Sequence, residues 1–395
     1  MDLRFKRILS FTIVNRLFLF FVSWLALLYF PVRARPGISE LRAFPDFPFL
    51  EGWTRWDGGW YVSIATQGYY FNPLEQSNVA FFPLYPLSIK LFMLLFKNPY
   101  LSGIIVSNLA FLTGVTFFYK LLKEHIVKDE EKSFWSILFL ISFPYSFFFS
   151  AVYSESLFFM CAVICFYFAE RKKWLFSSLF GMLACADRFV GIALFSAILV
   201  KYWETYSADY RFNTIQNHTP LQQRLPHALP VLSICLIPAG LIGYMAFLYI
   251  KFSDPLAFAH TIGGGWEGMK TLKPDILLPF KSFVHTITNF SQLPDNKYHV
   301  LFQFPIFLFF LLLIIFTFKH FSISYGIFSL AMLLIPSSVS IDLISMGRYL
   351  LVIFPCFSVM PYIIRGTYIR VALITLSFLF LTLFTAMFSN WWWVG

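Results

Sequence analysis

The chain has 395 residues, of which 58% are hydrophobic, 21% aromatic and only 13% charged, with a mean hydropathy of +0.70. A soluble chain carries about 25% charged residues; no soluble domain hides this much apolar surface, so lipid is the expected solvent. The net charge of +10 invites a nucleic-acid reading, but Lys and Arg gather in short connectors between apolar runs, as loops beside an anionic cytoplasmic leaflet do, and nucleic acid is set aside as a partner.

Taken in order, the chain starts MDLRFKR, followed by an apolar stretch without a small-residue cleavage site. It reads as an uncleaved first span over 10–30 rather than a signal peptide. Arg16 inside it is expected to snorkel inward. Residues 31–100 then form a long segment holding WDGGWY and, at 79–97, VAFFPLYPLSIKLFMLLFK. Further apolar runs follow at 101–122, 134–149, 155–170, 174–186, 189–203, 229–250, 300–318, 322–336, 346–364 and 369–388. The five cysteines (Cys161, Cys165, Cys185, Cys235, Cys356) all lie inside such runs and read as small core residues, with no disulfide framework or zinc site.

The stretch 79–97 is long enough to span, but it holds Pro83, Pro86 and a central Lys90. If it does not cross, the basic connectors 120–133, 171–173, 201–228, 319–321 and 365–370 all fall on the side of the N-terminal RFKR. If it crosses, Arg171, Lys172 and Lys173 move outside, against the positive-inside rule. The expected architecture is therefore an all-α polytopic membrane protein, a single domain over 1–395 with about eleven spans. Its N-terminus is cytoplasmic, 79–97 is interfacial or re-entrant on the outer side, and 31–100 and 251–299 are the two long outer segments. The second, rich in Gly, Pro and polar residues, is expected to fold as a lid or cap. No internal repeat is evident, so a transporter of two related halves is not supported.

Polar groups at a membrane boundary are costly unless paired or useful, which directs attention to the outer turns. Arg55-Trp56-Asp57-Gly58-Gly59-Trp60-Tyr61 combines a carboxylate, a tight backbone and flat aromatic faces of the kind sugars stack on. An interfacial aromatic belt with a stray Asp explains it too. Tyr153, Ser154 and Glu155 occupy the turn before run 155–170, where Glu155 could equally cap a helix. Asp187-Arg188 could be an ion pair stabilising a helical break. Arg348, near Asp342, could snorkel to headgroups or hold a phosphate bidentately. His260 and Trp266 in the second outer segment are weaker candidates, and the sequons at Asn217 and Asn289 are short patterns with high false-positive rates. Threaded as above, Asp57, Glu155, Arg188 and Arg348 all reach one membrane face. A carboxylate can accept the proton of an acceptor hydroxyl, and Arg can stabilise charge developing on a phosphate leaving group. Glycosyl transfer from a lipid-phosphate sugar has those two needs.

The stretches WDGGWYVSIATQGY (56–69), AFFPLYPLSIK (80–90), SFPYSFFFSAVYSESLFF (142–159) and MGRYLLVIFPCF (346–357) resemble the PIG-V mannosyltransferases, of the multi-span GT-C glycosyltransferase class. Asp187-Arg188-Phe189-Val190-Gly191 resembles the family's Arg-containing segment more loosely. The resemblance implies a GT-C fold, a polyprenyl-phosphate sugar donor, a lipid or glycan acceptor and action on the extracytoplasmic side. It makes Asp57 general base or acceptor-positioning carboxylate, puts Glu155 near the site and places Arg348 on the donor phosphate. Attack on a β-linked donor would invert it to an α-mannoside. The chain is shorter than the eukaryotic GPI-pathway members and looks more like compact prokaryotic relatives. That points to a prokaryotic plasma membrane, or the endoplasmic reticulum for a eukaryotic source, and leaves room for a small membrane partner subunit. Asp57 is followed by two glycines instead of the second acid of an Asp-X-Asp motif, so transfer without a metal or other cofactor is expected. Two rival readings stay open: the same fold with another sugar, and a lipid-linked-sugar flippase, whose charged residues would line a path across the whole membrane.

Overall fold

The computed structural model describes residues 3–33, 43–45, 47–73, 75–216, 228–265, 271, 273–290 and 297–394. Trp266, the sequon at 217–219 and Ser291 of the second sequon lie outside them. The described residues hold seventeen α-helices and no strand. In order they are α1 (Leu3–Tyr29), α2 (Gly58–Gln67), α3 (Leu84–Phe96), α4 (Pro99–Leu121), α5 (Glu130–Ser142), α6 (Glu155–Glu170), α7 (Trp174–Asp187), α8 (Ala193–Gln216) and α9 (Ala228–Ile234). There follow α10 (Ala239–Phe252), α11 (Ala257–Gly265), α12 (Leu278–Thr288), α13 (Lys297–His320), α14 (Ile323–Ser337), α15 (Met346–Leu351), α16 (Phe354–Ile363) and α17 (Thr367–Ser389). Four segments are long and apolar enough to cross a membrane: Arg4–Tyr29, Pro99–Ile126, Tyr298–His320 and Thr367–Ser389. Between them lie shorter apolar helices, which makes the chain an integral membrane protein.

Local sequence explains where the helices stop and start. Asn98 caps α4 by accepting from the Leu101 amide, with Pro99 following where its missing N–H costs nothing. Asp129 caps α5 in the same way through the Lys132 amide. The run 134–149 is not one helix, because Phe143 precedes Pro144 and turns to ψ 135°, the conformation a following proline favours. Two other long runs are broken as well: 229–250 becomes α9 and α10, separated by a turn before Pro238, and 346–364 becomes α15 and α16. The stretch 79–97 contributes the thirteen-residue α3, which presents Leu87, Leu91, Leu94 and Leu95 outward. Its Tyr85 is held against α4 by Ser107 Oγ at 2.6 Å and Gly103 O at 3.0 Å.

Between α5 and α6, residues 143–154 run without α-helix through the centre of the molecule, and 145–154 are buried throughout. Irregular backbone away from water needs a partner for each polar group. Val152 N donates to Trp53 O at 3.0 Å, Ser107 Oγ to Ala151 O at 2.7 Å, and Ser156 Oγ to Phe149 O at 2.6 Å. Arg16 does the same work and does not snorkel. It is 5% exposed and donates to Ser146 O at 2.6 Å and Ile141 O at 3.3 Å, with its guanidinium over Phe111. Its charge answers the carbonyls at the end of α5, a helix C-terminus that favours a cation. Arg16→Met should therefore cost about 1–3 kcal/mol by leaving those buried acceptors unmet, read as a lowered melting temperature in detergent. An unchanged melting temperature would refute that role.

Candidate active site

The irregular 143–154 segment brings together groups that are far apart in the chain. Trp56 has φ 57°, a conformation few bulky residues adopt, and this turn sets Asp57 at the head of α2. The Asp57 carboxylate does not cap α2; its Oδ2 lies 2.5 Å from Arg348 Nη1 on α15. Glu155, the first residue of α6, is 1% exposed and does not merely cap its helix. Its Oε1 accepts from Arg188 Nη1 at 2.6 Å and lies 3.3 Å from Arg348 Nε, an ion pair without hydrogen-bond alignment. The result is a row of alternating sign: Asp57, Arg348, Glu155, Arg188. Arg348 therefore faces inward and does not snorkel.

Arg188 ends α7 in an extended conformation, φ −152°, and turns to Glu155. Gly191 allows this break, since a Cβ there would fall 2.5 Å from Ala184 O. Asp187 is 1% exposed, and neither of its oxygens has a hydrogen-bond donor among the described residues. The same holds for Glu155 Oε2. Such buried acceptors are costly and suit the hydroxyls of a polar ligand. Tyr153 accepts the Asp57 amide on its phenol oxygen at 3.1 Å, and Tyr61 donates to Ser154 Oγ at 3.0 Å. Burial, reinforced by the Glu155 carboxylate, pushes the Tyr61 phenol above its ordinary range, so Tyr61 acts as a neutral donor.

Arg348 also sits among four rings. Its guanidinium carbon is 5.4 Å from the Tyr153 centroid, 5.5 Å from Tyr349, 5.7 Å from Trp393 and 5.8 Å from Phe148. Aromatic faces favour a cation in this range. Trp393 was not singled out in the sequence, although Trp391-Trp392-Trp393 is a visible signal. Ahead of Arg348, Asp342, Leu343 and Ser345 all have positive φ, so the approach to α15 is tightly turned. A Cβ on Gly347 would enter the Tyr145 ring, whose hydroxyl is held by Gln303 at 2.7 Å. Gly347→Ala should thus cost about 1–3 kcal/mol through overpacking, and a melting temperature equal to that of the parent would overturn the packing argument.

The remaining candidates are placed elsewhere. Arg55 is committed to Glu51 at 2.9 Å and to Ser389 O at 3.0 Å. Trp60 stacks on Phe81 at 6.0 Å. His260 is half exposed and pairs with Asp254 at 2.7 Å. Among the described residues no three His, Cys, Asp or Glu side chains are grouped to hold a metal ion. A cavity of about 610 Å³ lies between α2, α3, α7 and α10, and none of the four row residues lines it. Its walls are apolar, with Tyr69, Met182, Tyr244 and Phe247, and Lys90 and Lys251 are its charged members. It reaches Ala186, beside Asp187.

Comparison with solved structures finds the same fold in ArnT from Cupriavidus metallidurans in its apo state, at a TM-score of 0.51 and 12% identity. The match covers 93% of this chain and 61% of the ArnT chain, so this chain spans about three fifths of that protein's length. Nothing among curated proteins matches. Residues 5–384, nearly the whole sequence, match the family described as Mannosyltransferase (PIG-V). On that match over nearly its whole length, the chain belongs to the PIG-V mannosyltransferase family.

Proposed function

We propose that the protein transfers mannose from a polyprenyl-phosphate donor to a lipid or glycan acceptor on the extracytoplasmic face. The observation that carries this reading is the row Asp57–Arg348–Glu155–Arg188, which joins a base to a phosphate-binding cation. Asp57 takes the proton of the acceptor hydroxyl as that oxygen bonds to the anomeric carbon. The bond from that carbon to the phosphate oxygen breaks, and its electron pair leaves with the polyprenyl phosphate. Protonation of Asp57 weakens its hold on Arg348, which turns to the phosphate just as charge accumulates there. Glu155 keeps Arg188 and Arg348 side by side. Attack opposite the leaving group inverts the anomeric centre.

Two further features support the reading. The unmet oxygens of Asp187 and Glu155 offer acceptors for sugar hydroxyls, and the apolar cavity beside α2 and α7 offers a berth for the prenyl chain. Both carboxylates of the row already face guanidinium groups, which supports transfer without a metal. The positive-inside pattern favours about eleven crossings, an inside N-terminus and a non-crossing α3. A small partner subunit is compatible with the outward leucines of α3.

Purified protein given radiolabelled polyprenyl-phosphate mannose, with chelator present and total membrane lipid as acceptor, should form a mannolipid. Transfer only from a different polyprenyl-phosphate sugar in a parallel panel would reassign the donor. Sugar-lipid flux across sealed liposomes without any new glycosidic bond would make it a flippase and overturn the enzyme reading.

A further inference from the structure

The run Trp391-Trp392-Trp393 follows α17 and folds back onto the protein. Trp391 N donates to Phe388 O at 3.1 Å, and Trp392 N to Met387 O at 2.9 Å. Each indole then lies over a different arginine: Trp391 over Arg55 at 4.9 Å, Trp392 over Arg33 at 4.8 Å and Trp393 over Arg348 at 5.7 Å. Three successive residues point in three directions because Trp391 has φ 65°. That conformation is rare for a bulky residue and persists only where its surroundings hold it; such positions gather at functional sites. Trp56, beside Asp57, is the second tryptophan with positive φ, and its ring meets Trp391 at 5.8 Å and Trp393 at 5.1 Å. The backbone is thus bent at both tryptophans that flank Trp393.

We infer that Trp393 is a positioning residue: its indole face keeps the Arg348 guanidinium charged and in plane while that arginine passes from Asp57 to the leaving phosphate. The inference rests on the proposed role of Arg348. A buried guanidinium that changes partners passes through an arrangement in which neither anion fully compensates it, and an uncompensated buried charge is costly. Ring faces attract the cation whichever anion is present. They also occupy its flat faces, leaving the N–H edges for carboxylate or phosphate. Phe148 and Tyr153 supply the same contact but are fully buried at 0% exposure and serve the core. Trp393 is only partly buried, so its ring can be changed with the least disturbance to packing.

The test uses full-length protein in detergent, with C55-polyprenyl-phosphate mannose as donor and total membrane lipid as acceptor. Trp393→Phe keeps a ring face and should retain kcat within about twofold, whereas Trp393→Leu should lower kcat on the order of tenfold with donor KM nearly unchanged. Trp392→Leu, over the distant Arg33, should behave as the parent. Equal activity of the Phe and Leu variants overturns the inference, as does a rise in donor KM at unchanged kcat, which would make Trp393 a wall for the donor. Should the parent transfer no mannose, the donor assignment fails separately. Titration with polyprenyl phosphate alone then decides: Trp393→Leu should bind it on the order of tenfold more weakly than Trp393→Phe, and equal binding overturns the inference.

Discussion

Asp57→Asn should lower kcat by about 10²–10⁴-fold, the range a positioned general base supplies. Asparagine has nearly the same shape and still offers a carbonyl oxygen to Arg348 Nη1. The backbone amide that bonds Tyr153 is untouched. The substitution therefore removes the proton acceptor and its charge with little else, and the melting temperature should stay near that of the parent. Donor KM should change little, because the proton moves only once both substrates are bound. Steady-state transfer with labelled donor measures both quantities, and full activity in this variant would remove Asp57 from the catalytic role.

Arg348→Lys is the second large effect, with kcat expected to fall by about 10²–10³-fold. The guanidinium meets Asp57 through Nη1 and Glu155 through Nε at the same time. An ammonium is a compact point charge that cannot present two divergent edges from one plane, so it serves one carboxylate and leaves the other. Lysine is the informative choice because it keeps the charge. Arg348→Ala would set Asp57 and Glu155 facing each other across an emptied position, at a cost of about 3–5 kcal/mol in stability. Retention of activity by the lysine variant would show that charge alone suffices and that the paired geometry is incidental.

How far the sequence revealed this arrangement depends on the kind of signal. Long apolar runs such as 101–122 and 369–388 became α4 and α17 nearly unchanged, since hydropathy reads them directly. Breaks were harder to see, because Pro144 and Pro238 interrupt helices without changing the apolar character of the run. The positive-inside pattern led all four members of the ion row to be expected on one face, although which acid met which arginine was not legible. Arg16 misled, because a basic residue near a chain start resembles a snorkelling one, and only three dimensions show the carbonyls of Ile141 and Ser146 waiting for it. Trp393 was hidden for a related reason: ring-over-cation contact depends on a backbone reversal at Trp391 that no local pattern announces. Arg55 shows the opposite case, since it neighbours Asp57 in sequence yet serves Glu51 and the end of α17.

The four ionic groups also form a line, and a line has ends and a middle. Loss of Asp57 or Arg188 shortens it to three members that still hold hands. Removal of Arg348 or Glu155 cuts it, stranding one group whose opposite charge in the row has gone. Substitutions at the two inner positions should therefore be borne by the whole fold, whereas those at the outer two are borne mainly by the chemistry, and tolerance to change is graded along a few ångströms of one buried wire.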